Sequence, residues 1–286
     1  MKINAVRPQD NIFTNQLASI AKVPNTLYYC GELPSTPVKS VAIVGSRKPT
    51  PYGKSVTEKI VHTLAEHNVT IISGLALGID SIAHKAALKF NTPTIAVMAR
   101  GLNGIYPASH FALSREIVKA GGALISTYPA DMPAQPYHFL ERNRIISGLS
   151  SIVIVTEAAV KSGTLNTASH ALEQGKDVFA VPGNITSPMS AGCNRLIRQG
   201  AQPLIDTSDI LSALGIKSQK TTPQIPVRKN KTEQLIINAI LAGAKDTNQI
   251  INATNISPSS IFVTLSTLEI AGIIESSPDG VWTISQ

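Results

Sequence analysis

The run "VAIVGSRKPTPYG", Val41 to Gly53, ends an apolar stretch on Gly45, Ser46 and Arg47 and then opens a helix. A glycine lets backbone approach closely, a serine adds a hydroxyl, and an arginine brings a planar fork that grips phosphate oxygens in two places. Two further loops carry similar chemistry. In "SGLALGID", Ser73, Gly74 and Gly78 surround a strand-to-helix turn; in "KSGTLNTASH", Ser162, Gly163 and Thr164 stand where a helix starts. Free N–H groups at a helix N-terminus, beside small hydroxylated residues, hold anions without needing a lysine. Each loop alone also reads as a tight turn, whereas three at one sheet edge read as a phosphate path. The stretch "YHFLERNRIISGLS" adds Phe139, Arg142, Asn143 and Arg144, with Tyr137 just before them. Single-stranded nucleic acid is bound by such mixtures, the backbone in a positive groove and the bases stacked on aromatic rings. The competing reading makes Phe139 and Ile145 core residues and one arginine a structural ion-pair partner.

The better-known nucleotide loops do not fit. A dinucleotide fingerprint needs G-x-G-x-x-G and an acidic residue closing the second strand. Here Gly45 stands alone and the second strand ends in Ser73-Gly74. No G-x-x-x-x-G-K-[ST] follows a strand, so neither NAD nor ATP is expected, and no cofactor is assigned. Cys30 and Cys193 lack metal-binding spacing, which predicts reduced thiols and no zinc. Asp80 and His84, four apart on one helix face, imitate an acid/base pair or half a metal site. Alternatively, Asp80 caps or orients its loop and His84 bonds a neighbouring backbone group.

The elements that must position these residues alternate along the chain. "SVAIVG", "VTIISG", "TIAVMA", "ALIS", "SIVIVTEA" and "VFAVPG" are short β-branched runs separated by amphipathic stretches such as "GIDSIAHKAALKF". Apolar strands without polar alternation, spaced by helices, predict an α/β fold with a doubly wound, mostly parallel sheet covered on both faces. In such folds the ligand crevice lies beyond the carboxyl ends of the strands. The chemical loops all fall there. The expected division is a short N-terminal extension over 1–37, the main domain over 38–214, a basic linker over 215–231 and a small domain over 232–286. In the last, three helices and two strands around a Pro-Asp-Gly turn predict a winged helix, with Ile261, Leu265 and Leu268 as its core stripe and Trp282 packing the wing.

Charge is divided unevenly over these parts. Residues 1–216 carry 19 basic and 13 acidic side chains, residues 217–231 five basic and none acidic, and the remainder one basic and five acidic. A basic body suits a polyanion partner, and the acidic last module does not. Its helix from Ser257 to Gly272 also lacks the Lys, Arg, Asn or Gln that read duplex DNA, so it is expected to contact protein. No run approaches the roughly 18 uncharged apolar residues of a membrane span. The N-terminus lacks a secretory apolar core, which predicts a cytoplasmic protein.

"VAIVGSR", "SGLALGIDSIAH", "FLERNRIISGLS", "SGTLNTASHALEQGKDVFAVPGN" and "SAGCNRLIRQGA" together resemble the DprA/Smf family of DNA-processing proteins, in order and spacing, over roughly residues 40–214. The resemblance implies an extended Rossmann-like domain that binds single-stranded DNA, dimerises, protects incoming DNA and loads RecA onto it during natural transformation. It implies no enzymatic activity. By position, Arg47, the Ser73 to Asp80 loop, the Phe139 to Arg144 segment and the Ser162 to Thr164 turn would line the strand's path. The chain departs from the family in three places. Pro136 stands where many members have lysine, so that one phosphate contact is either missing or replaced by His138; Ser126-Thr127 stands for Ser-Glu; and the first 37 residues do not resemble the helical domain often found there. The alternative function is a nucleotide-cleaving enzyme of the lysine-decarboxylase-like group, whose signature is P-G-G-x-G-T-x-x-E. Gly163-Thr164 fits it, but Thr167 occupies the glutamate position.

Overall fold

A computed structural model of the chain describes residues 2–216, 230–276 and 280–284. It divides into two units, Met1–Gln219 and Lys220–Gln286. The first contains β1 (Asn4–Val6), β2 (Leu27–Gly31), β3 (Ser40–Val44), α1 (Pro51–Ala65), β4 (Thr70–Ser73), α2 (Ile79–Lys89), β5 (Thr94–Met98), α3 (Phe111–Lys119) and β6 (Ala123–Ser126). It continues through α4 (Pro136–Gly148), β7 (Ile152–Val155), α5 (Thr164–Glu173), β8 (Asp177–Ala180), α6 (Ala191–Arg198), β9 (Gln202–Pro203) and α7 (Thr207–Ala213). All six apolar runs are strands, β3 to β8.

The nine strands form one sheet in the order β1-β2-β6-β5-β4-β3-β7-β8-β9. Pairing is parallel from β6 to β9 and antiparallel at the β1 and β2 edge. All five residues of β3 are buried, because helices cover both faces. Ala42 and Val44 pack with Ile145 of α4, Leu149 just beyond its end and Ala168 of α5, while Val41 and Ile43 pack with Ile60, Leu64 and Ala83 of α1 and α2. From β3 the chain winds outward through β4, β5 and β6, then returns to β7 on the other side of β3. That reversal opens a crevice beyond the carboxyl ends of β3 and β7.

Residues 1–37 are not a separate extension. Tyr28 to Gly31 pair with β6, and Phe13, Leu17 and Leu27 fill the core under α4. The sequence conceals this because β1 has three residues and the intervening turns have no helical or strand period.

Local signals set the helix ends. Thr50 caps α1 by accepting from Gly53 N, with Pro51 in the first turn. The Lys176 ammonium donates to the carbonyls of Ser147, Gly148 and Ser150 where α4 ends. The last carbonyls of a helix lack the usual partners four residues on; Ser147 O also accepts from Ser150 N and Oγ, and a cation suits the negative end of the helix dipole.

The second unit contains α8 (Lys231–Leu241), α9 (Thr247–Thr254), α10 (Pro258–Ile270) and an antiparallel pair, β10 (Ile274–Ser276) with β11 (Trp282–Ile284). Ile261, Leu265 and Leu268 of α10 are buried in its own core with Ile236, Ile237 and Ile250, and Trp282 packs against them. Residues 217–229 of the expected basic linker, and Pro278-Asp279 of the expected turn, lie outside the described residues.

Candidate nucleic-acid interface

The turn after β3 is locked from three directions. A Cβ at Gly45 would stand 2.6 Å from Ile79 Cγ1 and 3.0 Å from the Glu157 carbonyl, so only glycine lets α2 come this close to the strand. Ser46 N donates to the Glu157 carbonyl at 2.7 Å. The buried Glu157 carboxylate accepts from Thr50 N at 2.8 Å and Thr50 Oγ1 at 2.7 Å, fixing where the turn hands over to α1. From the α2 side, Ile79 N donates to Ser46 O at 3.0 Å. Gly78, at φ +81°, is the residue that permits this: a side chain there would strike the Ser46 carbonyl and the Arg47 backbone. From the α5 side, Thr164 Oγ1 donates to Gly45 O at 2.9 Å. Gly45, Ser46, Arg47, Gly78 and the Ser162 to Thr164 turn, far apart in sequence, thus meet at one place.

A cleft of about 650 Å³ opens there, lined by Gly45, Ser46, Arg47, Phe139, Arg142, Asn143, Ser162, Gly163 and Thr164 from the sequence-derived set. The Arg47 guanidinium lies 5.6 Å above the Phe139 ring and has no hydrogen-bonded partner among the described residues. Tyr106, half exposed, meets Phe139 edge-to-face at 5.4 Å. Sequence reasoning missed Tyr106. The signal was available in "GIYPASH", an aromatic residue in the loop after a parallel strand, where ligands gather.

Other predicted residues have different duties. Arg142 is 5% exposed and donates through Nη1 to Gly74 O and Val97 O, both at 2.6 Å, tying the ends of β4 and β5 together. Arg142 is thus held inside the fold, through strand-end carbonyls and not through the ion pair of the competing reading, and its guanidinium forms cleft floor. Asp80 accepts from Gly74 N at 3.1 Å and Ala76 N at 3.4 Å. Burial raises its carboxyl above the ordinary value, and the Arg142 charge and the two amides pull it back. Asn143 uses both ends of its amide: Oδ1 accepts from Arg142 Nε at 3.3 Å, and Nδ2 donates to Gly163 O at 3.3 Å. It braces α4 against the start of α5. Ser73 is wholly buried, its hydroxyl donating to Ile43 O at 2.7 Å inside the sheet. Gly74 borders a smaller hollow behind Phe139 instead of the cleft, and Arg144 does not line the cleft.

Two expectations are corrected here. His138 cannot stand in for the missing lysine. It is 3% exposed, its Nδ1 accepts from Gln135 N at 3.3 Å, and its ring stacks on Tyr128, while Pro136 takes the place at the rim. His84 bonds the Thr94 hydroxyl at 2.7 Å, not a backbone group, and burial pushes its imidazole down to about 3. With Asp80 engaged by loop amides and His84 neutral beneath β5, the two do not form an acid/base pair. Among the described residues, no three His, Cys, Asp or Glu side chains gather as metal ligands, and no helix is long and apolar enough to cross a membrane.

The cleft therefore combines one unengaged cation, two aromatic rings and the N-terminal turn of α5, a set suited to a phosphate chain with bases attached. Comparison with known proteins agrees in kind. The model of the family described as DNA recombination-mediator protein A matches residues 4–215. Protein Smf of Escherichia coli strain K12 is 47% identical over 208 residues, 72% of this chain and 56% of that protein. The chain thus spans little more than half the length of this relative. DNA processing protein DprA of Streptococcus pneumoniae strain R6 is 40% identical over 204 residues, 71% of each chain. Among solved structures, S. pneumoniae DprA superposes with a TM-score of 0.69 at 38% identity, covering 74% of both chains. DNA processing protein A of Helicobacter pylori, whose structure was described for its unique single-stranded DNA binding mode, superposes with a TM-score of 0.67 at 32% identity, covering 75% of this chain and 96% of that one.

Proposed function

Since the chain belongs to the family of DNA recombination-mediator protein A, we propose that it binds single-stranded DNA in the cleft beyond β3 and β7, largely without regard to sequence. The observation that carries this reading is the grouping of Arg47, Phe139 and Tyr106 beside the first turn of α5. Arg47 takes a phosphate by forked, charge-assisted hydrogen bonds, the two rings stack bases, and the helix dipole attracts the next phosphate. None of these contacts reads a base edge.

The family is one of recombination mediators and not of enzymes. In that role the protein protects incoming single strands in the cytoplasm during natural transformation, loads RecA onto them, and works as a homodimer. The resemblance in sequence motifs supports this part of the reading, and the free, buried Cys30 and Cys193 suit a reducing compartment. The three helices and strand pair of the second unit act as a winged helix that contacts protein, as its acidic charge suits.

Fluorescence anisotropy with labelled single strands and duplexes of equal length, at two salt concentrations, tests the site. Single strands should bind more tightly, and log K should fall with log salt at about 0.7 per phosphate neutralised. Equal affinity for duplex would rule out the cleft as described.

A further inference from the structure

Ser46 has a neighbour that the binding reading does not use. Its Oγ donates to Met189 Sδ at 3.5 Å and accepts from Lys48 N at 3.0 Å. A hydroxyl has one proton, so the only hydrogen bond that Ser46 can offer a phosphate is the one now directed at the thioether. A thioether is a weak acceptor, and the proton leaves it at little cost. Met189 is also held in place. The Asn194 side chain both donates to Gly183 O at 3.0 Å and accepts from Gly183 N at 3.2 Å, pinning the loop before Met189 onto α6, and Ser190 N donates to Ser187 O at 3.1 Å.

We propose that Met189 is an oxidation site that controls strand binding: its conversion to the sulfoxide by a peroxide captures the Ser46 hydroxyl and weakens the cleft's hold on phosphate. The proposal rests on the reading of the cleft as a single-strand site. In the reaction the sulfur lone pair attacks one peroxide oxygen, an S–O bond forms and the O–O bond breaks. The sulfur loses two electrons, and the second peroxide oxygen takes up the proton and leaves as water. The new oxygen is a strong, negatively polarised acceptor beside the Ser46 proton. Reductases specific for methionine sulfoxide reverse the change.

The chain suits a clean test. Met189 is half-buried and reachable, Met98 is 1% exposed, and Met132, at 38%, is the other reachable thioether among the described residues. Both cysteines are buried. In a Met132→Leu background, peroxide treatment followed by peptide mass spectrometry should show Met189 gaining one oxygen. Affinity for a labelled oligothymidine should then fall roughly five- to ten-fold and return after treatment with methionine sulfoxide reductases. Met189→Leu in the same background should lose no affinity on treatment relative to its own untreated sample, and Ser46→Ala should lose much less than the parent. Resistance of Met189 to peroxide, or an equal loss of affinity in Met189→Leu or in Ser46→Ala, overturns the proposal. Binding that survives complete Met189 oxidation overturns the proposal alone. Failure of the untreated protein to bind the oligothymidine overturns the reading of the cleft, and the proposal with it.

Discussion

Arg47 and Arg142 both line the cleft, yet their surroundings assign them opposite work. Arg47 leans over the Phe139 ring with no hydrogen-bonded partner among the described residues, so its donors can turn to a phosphate. Arg142 holds two strand-end carbonyls from a buried position next to Asp80. Arg47→Ala should therefore weaken single-strand binding by about 1.5–3 kcal/mol while the thermal midpoint stays put. Arg142→Ala strands two buried carbonyls and leaves the Asp80 charge without its nearest compensation, so urea unfolding should show a loss on the order of 3 kcal/mol. A swap of these two phenotypes would reverse the assignment. Tyr106→Ala should cost about 1–3 kcal/mol of binding, the range of one base stack, and Tyr106→Phe should keep nearly all of it. Titration with an oligonucleotide carrying a fluorescent base separates lost stacking from lost charge, because only the former changes quenching.

At the scale of elements, α2 lies on β4 and β5 with His84 buried against Thr94. The folded imidazole titrates at about 3 instead of its ordinary 6.5, because burial disfavours the cation. The folded state then stays unprotonated while the unfolded chain takes up a proton as pH falls through 6.5. Stability from this group is full above 6.5 and declines by about 1.4 kcal/mol per pH unit towards 3. Urea midpoints measured at pH 7 and pH 5 should drop less in His84→Gln than in the parent protein. The six apolar runs announced the parallel strands because a sheet covered on both faces demands uninterrupted Val, Ile and Ala, a signal that no turn imitates. The strands β1, β2 and β9 at the margins of the sheet were hidden, since β1 and β9, paired on one side, have three and two residues, and β2, between β1 and β6, mixes buried and half-buried positions without an uninterrupted apolar run. At the site, the glycine turns and Phe139 were legible because their residue types are restricted by the chemistry. Which of Arg142 and Arg144 is held inside was not legible, because both lie on α4 two residues apart, and only the packing of α4 against the ends of β4 and β5 buries Arg142.

For the whole molecule, each unit encloses its own core, and the described residues that line the cleft all belong to the first unit. A protein ending at Gln219 should keep its single-strand affinity to within a few-fold at matched salt, and Arg47→Ala in the full chain should lose more than this truncation does. Loss of binding on truncation, with Arg47→Ala unaffected, would move the DNA site to the second unit. The central pairing of the sheet has a different consequence. Val41 lies beside Ile152 and Val44 beside Val155, so the strand that carries Gly45 to Arg47 gains its second neighbour only after more than a hundred further residues exist. Thr164, which locks Gly45, comes later still. During synthesis, a chain that has emerged only as far as β6 displays the β3 turn without its opposite wall, and non-local pairing of this kind is slow to form. The nascent protein therefore has no cleft, and the proposed capacity to hold a nucleic-acid strand arrives only once the centre of the sheet closes.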